Sequence, residues 1–224
     1  MKFSIIIPTL NEEKTIQTCL SPLQAIRNQG EIIIADAGST DNTQSLAAIL
    51  VDQVITSEKG RARQMNNGAR EASGDVLIFL HADTFLPDNA LPLIEQHIND
   101  NQPWGRFDIQ LSGRHCMLKV IAKMMNWRSR LTGIATGDQV IFVTRRAFTA
   151  VGQYPEIDLM EDIALCKRLK KISPPICLKS NVTSSGRRWE RNGIVKTIVL
   201  MWNLRLRYFL GADPKTLAAL YTKS

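Results

Sequence analysis

The 224-residue chain has few cysteines, and none of them form a motif of metal or redox sites. The four cysteines are far apart in the sequence: Cys19, Cys116, Cys166 and Cys177. No C-x-x-C pair exists, which argues against a zinc ribbon or a thioredoxin-like centre. We therefore expect reduced thiols with packing roles in a cytoplasmic protein.

Long hydrophobic runs are also missing. No segment of ~18 or more uncharged apolar residues occurs, so we expect no membrane-spanning helix. No G-x-G-x-x-G motif follows the first apolar run, which disfavours a dinucleotide dehydrogenase. Acidic residues are the minority, since 28 Lys and Arg against 21 Asp and Glu give a formal net charge of +7. This balance favours an anionic partner such as a nucleotide or an anionic lipid surface. Without a recognisable nucleic-acid-binding module, we expect no nucleic acid partner.

The first half of the chain alternates strand-like and helix-like segments. Four short apolar runs are typical of strands: FSIIIP, EIIIAD, DQVITS and DVLIFLHAD. Between these runs lie segments in which apolar residues have helical spacing, roughly Glu12–Asn28, Thr40–Leu50 and Arg61–Ala72. Such alternation predicts an α/β fold with a mostly parallel central sheet flanked by helices. Ligands of these sheets bind beyond the carboxyl ends of the strands.

The second half is less regular. WGRFDIQL and DQVIFVTR are strand-like, and helices are expected over Cys116–Arg130 and from Met160 onward. The segment Gly193–Leu210 is apolar with interspersed basic residues, so it is either a core helix or a helix lying on the inner face of a membrane. Of these two, we expect core packing. We expect one domain over 1–224, with halves at 1–100 and 101–190 and a C-terminal helical segment at 191–224.

Carboxylates follow the apolar segments at the expected strand ends. Asp36 closes the second strand and precedes Gly38 and Ser39, whereas Asp83 follows the apolar run VLIFL. A carboxylate in such a place costs solvation energy unless a hard divalent cation compensates for it. His81 would face the same way on an extended backbone and could ligate manganese or hydrogen-bond a ribose. Each of these features also fits an ordinary strand-end turn.

Further along, an acidic pair and basic clusters suggest chemistry. Glu161 and Asp162 begin an expected helix, where acids either suit the helix dipole or act as a general base. Basic residues that could clamp phosphates, or could simply be solvated, occur in two clusters: Arg61 with Arg63, and Arg187 with Arg188. Paired arginines can bind phosphate oxygens in a bidentate manner.

Taken in order, these segments resemble the inverting glycosyltransferases of family 2, which have the GT-A type nucleotide-diphosphosugar transferase fold. SIIIPTLNEE is similar to the family's first strand and loop, ADAGSTDNT to D-D-G-S-x-D-x-T, ARQMNNGA to A-R-N-x-G, and GDVLIFLHADT to the D-x-D strand. GDQVIFVTRRAF, LMEDIALCKRL and SGRRW resemble the acceptor-side strand, the E-D helix and the R-W element. The resemblance spans roughly residues 2–189 and is closest to a small bacterial branch with LHAD in place of LDAD.

The resemblance implies metal-dependent, inverting transfer of a sugar from a nucleoside diphosphate sugar, by analogy a UDP-sugar, to a hydroxyl of a lipid or small molecule. It assigns Asp83 and His81 to Mn²⁺ or Mg²⁺, and Asp162 with its neighbour Glu161 to the general base. It assigns the donor pocket to residues of the first loops and the third helix: Pro8, Thr9, Asn11, Glu12, Asp36, Gly38, Ser39, Arg61, Arg63 and Asn66. Further substrate contacts are implied at His81, Asp138, Arg187, Arg188 and Trp189.

Two residues depart from the family pattern. Ala37 replaces the second acid of D-D-G-S, and His81 replaces the first acid of D-x-D. Because both changes remove negative charge near the donor, a non-catalytic module that binds a nucleotide sugar or a partner remains an alternative. A sugar nucleotidyltransferase is another, although that class usually carries a glycine-rich loop where this chain has PTLNEE. The sequence leaves the oligomeric state open.

Overall fold

A computed structural model of the chain describes residues 1–222, in which helices flank an eight-stranded mixed sheet. The strands are β1 (Phe3–Thr9), β2 (Gly30–Asp36), β3 (Gln53–Thr56), β4 (Val76–Phe79), β5 (Thr84–Phe85), β6 (Trp104–Ser112), β7 (Ile141–Thr144) and β8 (Ile176–Ser185). The helices are α1 (Ile16–Leu23), α2 (Thr43–Ala48), α3 (Arg61–Glu71), α4 (Ala90–His97), α5 (Met117–Thr132), α6 (Arg145–Ala150), α7 (Glu161–Leu169), α8 (Arg187–Asn192), α9 (Ile194–Phe209) and α10 (Pro214–Thr222). The strand order is β3-β2-β1-β4-β7-β6-β8-β5.

The parallel part of the sheet is built from the first half of the chain. β1 pairs in parallel with β2 and β4, and β2 pairs in parallel with β3. The isoleucine runs of β1 and β2 are buried on both faces, as expected where helices cover both sides of a parallel sheet. The register places Thr9 beside Asp36, so the loops after β1 and β2 leave the same edge. The predicted α/β class with a mostly parallel sheet is confirmed.

The second half of the chain extends this sheet with mixed pairings. β7 is antiparallel to β4 and β6, whereas β8 runs parallel to β6. Sequence reasoning missed β8, whose inward–outward alternation is broken by a register shift opposite Phe107 and Asp108. The two-residue strand β5 is antiparallel to β8 and pairs Thr84 with Ser184. This pairing brings Asp83 beside the turn that leads into α8.

Successive residues of the strands pack into two different hydrophobic layers. Ile5 and Ile7 of β1 face a layer that includes α1 and α4, whereas Ile6 faces a layer that includes α3 and α7. This alternation is the ordinary two-residue period of a strand. Because α3 and α7 share one face, their first residues, Arg61 and Glu161, start at the same side of the sheet.

Several predicted boundaries differ from the observed ones. The helix predicted over Glu12–Asn28 is shorter, because the residues before Ile16 form a loop that bonds to the loop after β2. The strand predicted from Asp138 begins only at Ile141, because residues 137–139 form a 3₁₀ turn. The last two residues of the predicted C-terminal segment 191–224 lie outside the described residues.

The expectation of core packing for the segment Gly193–Leu210 is wrong. This segment forms α9, but Thr197 and Leu204 are the buried residues of that helix. Its other apolar side chains are half-buried or exposed, and the exposed ones are Val195, Val199, Trp202, Leu206 and Phe209. Within residues 1–222, no helix combines the length and the apolar character needed to cross a bilayer.

Gly105 of β6 tests the packing of this strand against β7 and β8. A Cβ at this position would lie 2.5 Å from the carbonyl oxygen of Ile176 and 2.5 Å from Cζ of Phe142. We expect Gly105→Ala to lower the free energy of unfolding by ~1–3 kcal/mol through overpacking. Urea unfolding would show a lower midpoint with an unchanged slope. An unchanged midpoint would contradict this close strand contact.

Candidate functional site

The loops after β1 and β2 are locked together by hydrogen bonds. The backbone N–H of Asn11 donates to Oγ of Ser39 (2.8 Å), and the N–H of Thr40 donates to Oδ1 of Asn11 (2.9 Å). The N–H of Glu12 donates to Oγ1 of Thr43 (2.8 Å). Asn11 has a φ of 55°, a left-handed conformation that asparagine tolerates better than most residues. The two loops therefore form one cross-linked rim at the carboxyl edge of the sheet.

Asp36 organises this rim from below. Its buried carboxylate accepts hydrogen bonds from Oγ1 of Thr9 (2.9 Å), the N–H of Ser39 (2.8 Å) and Nε2 of Gln44 (2.6 Å). Gly38, whose φ is 78°, turns its N–H to the same carboxylate (3.1 Å). Burial opposes ionisation of Asp36, but the bonds from Ser39, Gln44 and Thr9 outweigh it and hold the pKa below its ordinary value. Contact between Asp36 and a nucleotide base stays a prediction.

Gln64, which sequence reasoning missed, connects α3 to this rim. Its Nε2 donates to the carbonyl oxygens of Thr9 and Ala35, each at 2.8 Å. These carbonyls lie where β1 and β2 end, so Gln64 fixes the helix against both strand ends. The sequence could have indicated this role, because Gln64 is a polar residue at a position where α3 faces the core. Pro8 lies half-buried at the same end of β1.

Two residues of α3 that the sequence placed in the donor pocket have other partners. Asn66 is 3% exposed, and its side-chain amide bonds the backbone N–H and carbonyl of Tyr154 (3.0 and 2.9 Å). The amide of Asn66 is thus buried and bonded to Tyr154, and contact between Asn66 and the donor stays a prediction. The guanidinium of Arg63 pairs with Glu58 (3.1 Å) and Glu156 (3.4 Å), which hold it at the surface.

The acidic pair Glu161 and Asp162 is buried at the first turn of α7. Arg61, at the start of α3, places a guanidinium nitrogen 3.6 Å from Oε1 of Glu161. Burial and the charge of Asp162 raise the pKa of Glu161, Arg61 opposes the rise, and the net result is a pKa of about 7. Burial likewise raises the pKa of Asp162, against the influence of His81 and Arg61. Such a pair is poised to exchange a proton near neutral pH.

Gly137 holds Asp162 in place through one carboxylate oxygen, and the other oxygen of Asp162 makes no hydrogen bond within residues 1–222. The N–H of Gly137 donates to Oδ2 of Asp162 (2.8 Å), whereas the buried Oδ1 has no hydrogen-bond partner among the described residues. A Cβ at position 137 would lie 2.2 Å from Nε2 of His81 and 3.0 Å from Oδ2 of Asp162. Glycine is therefore required here. Sequence reasoning missed Gly137, because only the fold brings it to α7.

Backbone strain surrounds the acidic pair. Met160, immediately before α7, has a φ of 71°, and Val140, after the 3₁₀ turn, has a φ of 52°. Left-handed geometry is rare for a β-branched residue and persists only where surrounding packing imposes it. Strain of this kind concentrates at functional sites, and here it occurs two residues before Asp162, at Met160, and three residues after its partner Gly137, at Val140.

The ring of His81 lies against the carboxylate of Asp138. Nδ1 of His81 lies 3.3 Å from Oδ1 of Asp138, and Nε2 is enclosed next to Gly137. Burial opposes ionisation of Asp138, but His81, together with the more distant Arg61 and Arg188, keeps its pKa below the ordinary value. The metal-ligand role of His81 stays a prediction: Nδ1 faces Asp138, and the buried Nε2 has no hydrogen-bond partner in the part of the chain that the structure describes.

Asp83 has a half-buried carboxylate with a single long contact, from Oγ1 of Thr84 at 3.5 Å. Its carbonyl oxygen accepts the N–H of Ser185 (3.2 Å), which fixes it beside α8. Among residues 1–222, no cluster of three His, Cys, Asp or Glu side chains could hold a metal ion. Asp83 nevertheless fits Mg²⁺ or Mn²⁺, since such ions take few protein carboxylates and complete their shell with phosphate oxygens and water.

The basic element after β8 lies on the same side as Asp83. Nε of Arg187 donates to Oγ of Ser185 (3.0 Å), and Trp189 is half-buried one turn into α8. The guanidinium of Arg188 stacks 3.6 Å from the ring centroid of Tyr221 and donates to its carbonyl oxygen (3.1 Å). The C-terminal helix α10 therefore contacts the cleft through Arg188.

Comparison with known sequences identifies a family. Residues 4–148 match the family model described as "Glycosyl transferase family 2". A dolichol-phosphate mannosyltransferase of Pyrococcus furiosus is 32% identical over 135 residues, which are 57% of this chain and 36% of that protein. A PGL/p-HBAD biosynthesis glycosyltransferase of Mycobacterium bovis is 34% identical over 110 residues, 45% of this chain and 43% of that protein. The matched region thus spans less than half of each relative.

Solved structures share the fold at low sequence identity. TarS residues 1–349 of Staphylococcus aureus, in complex with UDP, superimpose with a TM-score of 0.66 at 20% identity, covering 83% of this chain and 60% of that one. The mannosyltransferase PcManGT of Pyrobaculum calidifontis, in complex with GDP-Man and Mn²⁺, gives 0.62 at 18% identity, with 81% and 56% covered. These likenesses confirm the predicted GT-A type fold.

The raised pKa of Glu161 predicts a pH-dependent stability. Because the pKa rises from 4.5 to about 7 on folding, the folded state binds more protons between those values. The free energy of unfolding contributed by this group therefore falls as pH rises through that window and is level above it. We expect Glu161→Gln to gain stability relative to wild type across the same window. Urea unfolding at several pH values measures this difference, and a pH-independent difference would contradict it.

Proposed function

Because the chain belongs to glycosyltransferase family 2, we propose that it moves a sugar from a nucleoside diphosphate sugar to a hydroxyl acceptor, with inversion at the anomeric carbon. One observation carries this proposal: Asp162 is buried, is held through one oxygen by Gly137, and keeps the other oxygen unpaired. A carboxylate in that state is suited to accept a proton from an incoming hydroxyl.

The donor we propose is a UDP-sugar, bound against the cross-linked rim. Support comes from the uridine nucleotides in the structures of TarS, although PcManGT was solved with GDP-Man. The rim offers Thr9, Asn11 and Glu12 from one loop, and Ser39 from the other. We assign Asp36 to shaping this rim, because its carboxylate is already saturated by hydrogen bonds. A cytoplasmic reaction suits such a donor.

For the donor diphosphate we propose a divalent cation, Mn²⁺ or Mg²⁺, held by Asp83. Support comes from the free carboxylate of Asp83 and from the Mn²⁺ bound to PcManGT and to the glucosyl-3-phosphoglycerate synthase of Mycobacterium tuberculosis. Such an ion neutralises charge on a departing nucleoside diphosphate. Arg187 and Arg188, which begin α8 beside Asp83, would add positive charge for the same group.

In the transfer step, Oδ1 of Asp162 takes the proton of the acceptor hydroxyl as its oxygen attacks the anomeric carbon. The bond from that carbon to the diphosphate oxygen breaks, and the nucleoside diphosphate leaves with the electron pair. The raised pKa of Asp162 makes its carboxylate a stronger proton acceptor than an exposed aspartate. Gly137 keeps the carboxylate oriented through Oδ2 during this step.

The neighbouring residues have supporting roles in this proposal. Glu161 faces Arg61 and holds that guanidinium at the cleft, which leaves Asp162 as the base. His81 holds Asp138 through Nδ1, and we assign Asp138 to binding hydroxyl groups of the sugar or acceptor. Asp138 suits this task because its pKa lies below the ordinary value, so its carboxylate stays ionised and accepts hydrogen bonds.

Asp162→Asn tests the base directly. We expect transfer to fall by ~100-fold or more while donor binding stays nearly unchanged, as for removal of a general base. The measurement is the rate of sugar transfer, or of donor hydrolysis, alongside calorimetric titration of the donor. Asp158→Asn is the control, because Asp158 is exposed and lies only four positions away in the sequence. Equal transfer rates in both variants would remove Asp162 from this role, whereas donor binding without any transfer by the wild type would favour a non-catalytic module.

Asp83→Ala tests the metal site. We expect the gain in UDP affinity on adding Mn²⁺ to disappear, a loss on the order of 10- to 100-fold. Asp88→Ala is the matched control, since Asp88 is an exposed carboxylate of the following loop. Titration of UDP with and without Mn²⁺ measures both variants. A metal-dependent gain that survives in Asp83→Ala would place the cation elsewhere.

A further inference from the structure

Helices α5 and α9 each expose a line of large apolar side chains. On α5 the line is Met117, Val120, Met124, Trp127 and Leu131; on α9 it is Val195, Val199, Trp202, Leu206, Phe209 and Leu210. The three- and four-residue spacing puts each set on one face of its helix. We call these residues together the α5–α9 apolar surface.

The two lines meet at the beginnings of the helices. Met117 of α5 lines the same groove of about 750 Å³ as Val195, Ile194 and Ile198 of α9. Single exposed apolar residues are ordinary, but a contiguous apolar surface marks a place of interaction. The α5–α9 apolar surface is therefore continuous through this groove.

Basic residues predominate around this surface, and the one carboxylate that lines its groove, Glu190, accepts hydrogen bonds from the backbone N–H groups of Arg114 (2.7 Å) and His115 (3.1 Å). Neither α5 nor α9 contains an acidic residue. Exposed basic residues flank the apolar lines, namely Lys119 and Lys123 on α5 and Lys196 and Arg207 on α9. A face with an apolar stripe and basic edges complements an anionic lipid surface, where apolar groups enter the acyl boundary and lysine or arginine meets headgroups.

The tryptophans give the surface a second interfacial feature. Trp127 and Trp202 are 63% and 66% exposed, although tryptophan usually buries most of its area in a soluble fold. Tryptophan is enriched where a bilayer meets water, because its ring is apolar and its N–H stays hydrated. Pairing of this face with that of a second copy would instead bring basic edges together, and like charges in contact are unfavourable.

We propose that the α5–α9 apolar surface docks the protein onto an anionic lipid bilayer, with both helices lying in the plane of the interface. The cleft is coupled to this surface through α7, whose Lys167 lies 5.1 Å from the ring centroid of Tyr208 in α9. Docking would thus hold α7, which carries Glu161 and Asp162 in its first turn, near the bilayer. Because binding can be measured without donor or acceptor, its outcome is independent of the proposed transferase activity.

Vesicle co-sedimentation of the full chain tests the proposal. At low salt we expect the protein to bind vesicles of phosphatidylcholine mixed with phosphatidylglycerol. We expect its affinity for vesicles of phosphatidylcholine alone to be lower by ~10-fold or more. Raising the salt to ~0.5 M should reduce binding, because screening weakens attraction to the headgroups. Tryptophan emission should shift to shorter wavelength on binding, and Trp127→Phe with Trp202→Phe should remove that shift.

Matched variants distinguish a specific role of the α5–α9 apolar surface from the general effect of adding a negative charge to the protein. Leu206→Glu should weaken vesicle binding by ~10-fold or more, whereas Ile49→Glu, at an apolar residue that is 72% exposed on another helix end, should not. Lys196→Glu should weaken it by ~25-fold, because the charge changes by two units and each unit near an anionic surface is worth about fivefold, whereas Lys14→Glu should not. Met124→Glu on α5 repeats the test independently if a variant of α9 fails to fold.

Three outcomes would overturn the proposal. The first is no sedimentation with phosphatidylglycerol vesicles at low salt. The second is equal loss of binding in Leu206→Glu and Ile49→Glu. The third is a dimer, seen by light scattering in the absence of lipid, that Leu206→Glu dissociates, since a second copy would then cover the surface.

Discussion

The cleft depends on keeping two adjacent carboxylates out of water at the start of α7. Glu161 and Asp162 are 3% and 8% exposed, and one guanidinium and one peptide N–H contact them. Burial of this kind is costly unless packing over-determines it. The remainder of α7 provides that packing, because Leu165, Cys166 and Leu169 are fully buried in the layer shared with α3. The left-handed Met160 then turns the chain sharply into the helix.

Environment pushes the carboxylates of the cleft in opposite directions. Asp36 and Asp138 have pKa values below the ordinary range, because hydrogen bonds or cations stabilise their charged forms. Glu161 and Asp162 have raised pKa values, because burial dominates. Because their pKa values differ in this way, some carboxylates of one site stay charged while another can accept a proton. In the proposed mechanism, Asp36 shapes the donor rim, Asp138 binds hydroxyl groups, and the start of α7 takes the proton.

The sequence predicted what is local, and the structure supplied what is distant. The apolar runs of β1, β2 and β4 identified the parallel sheet, because buried strands require such runs. Gly137 was missed because its significance comes from His81 and Asp162, which are far away in the sequence. The bond between Asn66 and Tyr154 was also missed, because the two residues are 88 positions apart. β8 escaped notice because its register shift interrupts the alternation that reveals a strand.

The proposed sugar-transfer cleft combines a donor rim, a carboxylate that can bind a metal ion, and a buried base. Calorimetric titration of the full chain with UDP, GDP and their sugar derivatives, with and without Mn²⁺, tests this most directly. The account predicts saturable binding of a nucleoside diphosphate that strengthens when Mn²⁺ is present. Absence of binding by every nucleotide, with and without the metal, would contradict it.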